Sequence, residues 1–203
     1  MPETTVEFYF DFGSPYSYLA HKRLPEILRR TGADLVRRIV LLGGVFQLTG
    51  NASPAFNKLK WPNSQRDLER FVAKYGVPFR RNPHFPVNTL KLMRIAVVAE
   101  EEGYLDGYSD VAFAGMWQNG LKMDDDAVIA GVLRDARLDD RHILQRIGED
   151  AVKQKLKGYT EAAVKRGIFG VPTFFVGDEM FFGQDRLDLV EDALSGKRWT
   201  AAV

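Results

Sequence analysis

From Val6 to Phe12 the chain alternates, with Val6, Phe8, Phe10 and Phe12 on one side and Glu7, Tyr9 and Asp11 on the other. A period of two marks a strand with one buried face. Gly13 breaks the pattern. Ser14 and Pro15 follow, a side-chain acceptor and a ring with φ already set, the pair that opens a helix. Leu19, Leu24, Ile27 and Leu28 then fall on one face of a helix expected from Pro15 to about Arg30 and closed by Gly32. Pro25 lies inside it and predicts a kink. Leu35 to Leu42 reads as a second strand, ended by Gly43 and Gly44.

Turn formers dominate from Val45 to Ser64, and the pattern predicts loop there. Beyond it the periodicity is almost wholly helical. Helices are expected from Gln65 to Gly76 with Ser64 as cap, near Asn88 to Gly103, Asp106 to Asn119, Asp126 to Ala136, Arg141 to Ile147, and in a last long segment closed by Gly167. About a hundred consecutive helical residues exceed what a βαβ crossover needs. They read as an insertion. Strand patterns return at Pro172–Val176 and Met180–Phe182 around a Gly177-Asp178 turn, before a final helix over Arg186–Leu194. The order β-α-β, helical insertion, β-β-α predicts an α/β fold with a small mixed sheet. The segments divide into 1–44 with 168–203, and an inserted subdomain over 45–167. Within the insertion, LMRIAVVA is apolar nearly all round, as for the insertion's own core or for an oligomer contact.

Composition changes this picture at one point. Hydrophobic residues are 45% and charged residues 27% of 203, an ordinary globular balance. A net charge of +1 makes no electrostatic case for nucleic acid or an anionic membrane. No run approaches the about 18 apolar residues that span a bilayer, and no basic segment leads into an apolar run at the start, so a cytoplasmic protein is expected. Cysteine is absent. Thiol chemistry, if the chain performs any, must use a thiol carried by a ligand.

The motifs narrow the chemistry mostly by absence. No GxGxxG, GxxxxGK[ST], HExxH or GxSxG occurs. His21, His84 and His142 fall in separate elements without ligand spacing, so no metal site is expected. His21 is two helical turns from Ser14, too far along for a dyad. Ser14 itself stands where unpaired backbone N–H groups and the positive helix end converge, a place for an anion or thiolate or simply a cap. The other informative stretch, FGVPTFFVGDEMFFGQDR from Phe169 to Arg186, has a proline opening a strand.

A Ser-Pro helix start paired with a later strand-opening proline resembles the thioredoxin superfamily. The helical insertion, DFGSPYSYLA, FPVNTL and FGVPTFFVGDEMFFGQDRL resemble the 2-hydroxychromene-2-carboxylate isomerases, relatives of kappa-class glutathione transferases. The resemblance runs from Val6 to about Leu194. It implies a thioredoxin-like sheet with a large all-helical insertion and a cis Val171–Pro172 peptide. It also implies a homodimer that uses glutathione on a small aromatic substrate. Ser14 would meet the glutathione sulfur, and the Val171 main chain beside Pro172 would hold the tripeptide backbone. Phe182, Gly183, Gln184, Asp185 and Arg186 would surround the γ-glutamyl end, with Asn57 contributing from the loop. Asn51, Lys58 and Trp61 lie in that loop too, although Trp61 stands six residues before Asp67, where relatives carry an aromatic about four before.

The implied reaction is a reversible ring opening and cis–trans change, which a thiolate catalyses by adding to and leaving a conjugated double bond. A substrate carboxylate needs a cation, for which Arg37, Arg38, Lys58, Lys60 and Arg186 are candidates. Tyr9, Phe12, Tyr16, Phe46 and Trp61 are candidates to wall an aromatic ring. A kappa-type transferase or peroxidase, and a non-catalytic thiol-peptide binder, are the competing classes.

Overall fold

The structure is a computed structural model that describes residues 4–197; the ends of the expected divisions, 1–3 and 198–203, lie outside the described residues. The first strand, β1 (Thr5–Phe10), leads through the Asp11–Ser14 turn into α1 (Pro15–Thr31) and back to β2 (Asp34–Ile39). Gly32 closes α1 at φ 69°, the left-handed conformation that glycine reaches without a steric penalty. Late in the chain β3 (Thr173–Val176) and β4 (Glu179–Phe182) form a hairpin that precedes the last helix, α9 (Leu187–Leu194). The mixed sheet has four strands in the order β2-β1-β3-β4. Phe8 of β1 sits opposite Arg37 in the parallel pair and opposite Phe174 in the antiparallel one.

Helices cover both faces of this sheet, which corrects the one-sided reading of β1. Val6, Phe8 and Phe10 pack into the main core with Leu19, Leu24 and Ile27 of α1 and Leu187 and Val190 of α9. On the opposite face Tyr9 and Phe175 pack with Val40, Val45, Ala163 and Ile168. The strand is flanked by partners on each side and keeps no solvent face. Asp11, read from the alternation as polar and outward, is fully buried.

The segment between the sheet halves holds α2 (Leu42–Thr49), a 3₁₀ turn (Pro54–Phe56), α3 (Lys60–Tyr75), α4 (Leu90–Glu101), α5 (Leu105–Trp117), α6 (Asp126–Asp135), α7 (Asp140–Arg146) and α8 (Asp150–Lys165). Three expectations about its start are corrected. Val45 to Ser64 is not loop throughout, since α2 runs on to Thr49. Gly43 and Gly44 do not end a strand but lie in the first turn of α2, because the buried Asp11 Oδ2 accepts from the Leu42 N–H at 2.8 Å and so caps that helix. A Cβ on Gly44 would lie 3.1 Å from Thr160 Cγ2, so the glycine admits α8 closely rather than making a turn. Likewise α3 begins at Lys60, not after Ser64. The Asn57 side chain accepts from the Leu59 and Lys60 N–H groups at 3.0 and 3.1 Å, which places Trp61 in the first helical turn.

The apolar run in α4 is internal core. Leu92, Met93 and Ile95 to Ala99 are all buried within the chain, and the same cluster runs unbroken from Phe8 to Phe113, Trp117 and Leu133. Trp117 Nε1 donates to the Phe12 carbonyl at 2.8 Å, tying α5 to the turn before α1. The insertion thus shares one core with the sheet and braces the turn that carries Ser14.

Candidate active site

Three groups converge on Asp11 and shape that turn. Its Oδ1 accepts from the Gly13 N–H at 2.7 Å, and its Oδ2 accepts from the Leu42 N–H at 2.8 Å and the Thr89 hydroxyl at 3.1 Å. Burial pushes its carboxyl above the usual range, against the pull of those bonds. One buried side chain thereby clamps the β1–α1 turn, the start of α2 and the residue before α4. The alternation of β1 gave no sign of this role, which arises from contacts across 31 and 78 residues of chain.

Ser14 follows from this clamp. It is 5% exposed and has extended φ and ψ of −92° and 114°. Its Oγ accepts from the Ser17 N–H at 3.1 Å and donates to the Val171 carbonyl at 3.3 Å. The hydroxyl is therefore both the N-cap of α1 and the bridge to the loop before β3. The Val171–Pro172 peptide is cis, as expected, and so is Phe85–Pro86, which carried no sequence sign.

The Pro172 carbonyl accepts from the Gly183 N–H at 2.9 Å, which brings the end of β4 beside Ser14. Gly183 has φ 100°, and a Cβ there would run into Asp185 Oδ1. Glycine is required at this corner. Gln184 is buried, with its main-chain carbonyl and Oε1 both accepting from the Tyr75 hydroxyl, at 3.3 and 3.1 Å. Burial, and next the Asp188 charge, push the Tyr75 hydroxyl up to about 12, so it stays a donor at neutral pH. Tyr75 was missed because it lies 109 residues from its partner.

These residues open onto a cavity of about 800 Å³, within the range of small-molecule sites. Ser14, Asn57, Val171, Pro172, Phe182, Gly183, Gln184 and Asp185, all singled out from the sequence, line it. Arg186 does not. Its guanidinium turns back to pair with Asp185 at 2.7 Å. Asn51, through which Nδ2 donates to the Phe169 carbonyl at 2.9 Å, joins the lining.

The geometry also sorts the cations and aromatics. Of the basic candidates Lys60 lines the cavity, and Lys58 does not. Arg37 is engaged by Asp106 and Arg38 by Glu7, away from it. Tyr16, Phe46 and Trp61 are wall residues, with the Tyr16 hydroxyl donating to the Ser64 carbonyl at 3.0 Å. Tyr9 and Phe12 are corrected to core: Tyr9 lies against Phe175 and Phe12 against Tyr108 and Phe113. Phe56, Phe71 and Phe85 also line the cavity and had no local signal beyond aromaticity. His21 is buried against Phe113 with Nε2 2.8 Å from Asp110 Oδ1. Burial, with the Arg37 charge, lowers its pKa to about 4, so it is a neutral core residue and not a base for Ser14.

The DSBA-like thioredoxin domain model matches residues 5–195. Curated 2-hydroxychromene-2-carboxylate isomerases are similar over nearly all of the chain. One from Sphingobium xenophagum is 32% identical over 94% of this chain and 97% of its own length, and one from Pseudomonas putida is 33% identical over 93% of each. This chain belongs to the 2-hydroxychromene-2-carboxylate isomerase family. A solved isomerase of that family superposes with a TM-score of 0.86 at 30% identity, covering 95% of both chains. A kappa glutathione transferase from Rattus norvegicus is 27% identical over 98% of this chain and 93% of its own. The family membership, the mixed thioredoxin-like sheet and the helical insertion agree with the reading of the sequence. No helix among the described residues is long and apolar enough to cross a membrane.

Proposed function

We propose that the chain is a glutathione-dependent isomerase that interconverts 2-hydroxychromene-2-carboxylate and trans-o-hydroxybenzylidenepyruvate or a related aromatic catabolite. The observation that carries this reading is the Ser14 hydroxyl, held at the N-cap of α1 and 3.3 Å from the carbonyl of a cis-proline peptide, in a chain without cysteine. The residues fit glutathione chemically. A hydroxyl and a helix N-terminus suit a thiolate, the Val171 main chain suits a peptide, and the Asp185 carboxylate suits the ammonium of a γ-glutamyl group.

Bound glutathione would supply a thiolate that adds to the conjugated double bond, leaves it single while rotation occurs, and is then expelled. Ser14 turns its O–H from the Val171 carbonyl to the sulfur and holds it ionised. Val171 and Pro172 align the peptide, and Gln184, fixed by Tyr75, shapes the γ-glutamyl end. Lys60 meets the substrate carboxylate, and Tyr16, Phe46 and Trp61 exclude water from the ring. No protein base is needed to ionise the thiol; ring opening breaks the C2–O bond, and the proton leaving the C2 hydroxyl reaches the phenolic oxygen through solvent in the open cavity.

Turnover of 2-hydroxychromene-2-carboxylate with and without glutathione tests this. Isomerisation that requires glutathione while total glutathione stays constant is the expected result. Loss of glutathione with conjugate formation would make the enzyme a kappa-type transferase, and no turnover in either condition would leave a thiol-peptide binder. A cytoplasmic setting, where thiols are kept reduced, and a homodimer accompany the proposal. The apolar faces of α4 and α5 are consumed by the chain's own core, so a dimer uses another surface. Light scattering at twice the chain mass is the expected result.

A further inference from the structure

The proposed isomerisation develops a negative charge on the substrate that needs a partner in the cavity. As the C–S bond forms at the carbon β to the ketone, the C=C π pair moves to the bond between the α carbon and the carbonyl carbon. The carbonyl π pair moves to oxygen, which becomes an enolate. The reverse shift expels sulfur and restores the double bond, so nothing is consumed. A cation already fixed beside that oxygen lowers the barrier without the reorganisation that water would need.

Lys60 is the one cation on the cavity lining among the described residues, and its ammonium makes no ion pair with any of them. The two carboxylates of the lining do not quench it. Asp67 is held by Arg70 at 2.6 Å and Asp185 by Arg186 at 2.7 Å. Lys60 is also the first residue of α3, where the positive helix end repels a cation, so helix stability does not account for a lysine there. The Asn57 side chain fixes this turn by accepting from the Leu59 and Lys60 N–H groups. The Tyr16 hydroxyl, another donor of the lining, is spent on the Ser64 carbonyl and feels the Asp67 and Asp185 charges, which oppose a developing negative charge.

We propose that Lys60 is a catalytic residue whose ammonium holds the enolate oxygen while sulfur adds and leaves, as well as meeting the carboxylate. The carboxylate and ketone of a 2-oxo acid are adjacent, and an ammonium carries several donors, so one Nζ reaches both. The inference rests on the isomerase reading for the substrate and extends it to the step that Lys60 accelerates.

An analogue without the carboxylate separates the two roles. 2-Hydroxybenzylideneacetone keeps the ring and the enone, so a lysine that meets only a carboxylate is indifferent to it. Without glutathione, binding of this enone to the parent should shift its absorbance to longer wavelength, because a cation at the carbonyl oxygen polarises the conjugated system. Lys60→Met should lose the shift, and Lys60→Arg should keep part of it. With glutathione, addition to the same enone is followed as loss of its absorbance. It should be about ten- to a hundredfold slower in Lys60→Met, less than the about hundred- to thousandfold of an enclosed oxyanion donor, because Lys60 is open to solvent. A shift absent from the parent, a shift that survives Lys60→Met, or addition at the parent rate in that variant overturns the proposal. A shift that depends on Lys60, in a parent that adds no glutathione, supports Lys60 at the carbonyl oxygen and overturns the glutathione reading instead.

Discussion

Replacing Ser14 by alanine separates a cap from a thiolate site, because the two roles have different sizes and different readouts. The hydroxyl makes two bonds, at 3.1 Å to the Ser17 N–H and 3.3 Å to the Val171 carbonyl. Losing the first exposes an orphan donor at the start of α1 and costs about 0.5–2 kcal/mol of stability, as for other N-caps. The second is at the long end of hydrogen-bond range and adds little. The thiolate effect is larger. A hydroxyl bond to a charged acceptor contributes roughly 1.5–3 kcal/mol, which at ~1.36 kcal/mol per unit is about one to two units of thiol pKa. On the proposed function a free thiol near ~8.5 would thereby be brought close to neutrality in the parent enzyme. In Ser14→Ala the helix terminus still contributes ~0.3–1 kcal/mol, so the bound thiol should return most of the way to its free value. Thiolate absorbance of bound glutathione against pH, read beside the unfolding midpoint and kcat, measures both quantities. A bound-thiol pKa and a kcat both unchanged from the parent, in a variant that has lost only stability, would refute the role and leave Ser14 a helix cap.

Three further outcomes follow from the same coordinates. Ser14→Cys puts a protein thiol at the N-terminus of α1, so oxidised glutathione should form a mixed disulfide there and release one reduced glutathione; mass spectrometry that finds no adduct speaks against sulfur placement at this position. Gly183→Ala sets a Cβ against Asp185 at φ 100°, and isothermal titration should show glutathione affinity falling by about tenfold or more, in keeping with ~1–3 kcal/mol of local backbone strain. Burial keeps His21 neutral in the folded chain, with pKa about 4. The unfolded side chain takes up its proton below ~6.5, so this contribution is complete above pH 6.5 and is lost as pH falls towards 4, by about 3 kcal/mol. Denaturant midpoints from pH 7 to 4 should therefore fall more steeply for the parent than for His21→Gln, and parallel curves would show that the histidine is not buried neutral.

Local pattern in the sequence carried the element order, the helix stops at Gly32, Gly76 and Gly167, and the two motifs that meet at the site. These are short-range properties. A proline at N1, a glycine with positive φ or an alternating run acts on its own turn of chain, so it is legible without the fold. The family resemblance rested on the same local stretches, and Val171, Pro172 and Phe182 to Asp185, which the structure places on the cavity lining, came with it. What failed was whatever depended on the other side of a contact. Asp11 and Tyr9 looked outward because alternation cannot say that helices cover both faces of a sheet. Gly43 and Gly44 looked like a stop because nothing nearby reveals Asp11 as the cap of α2 or Thr160 as the neighbour that needs the missing Cβ. Arg186 looked available until its pairing with Asp185 was seen. The sequence by itself determined most of the helices and strands, α2 and the start of α3 excepted, and that any thiol must be brought in. Only the tertiary structure decided that Lys60 rather than Arg37 lines the cavity and that Tyr75 holds Gln184, because burial and hydrogen bonding across tens of residues are set by packing and not by neighbours in the chain.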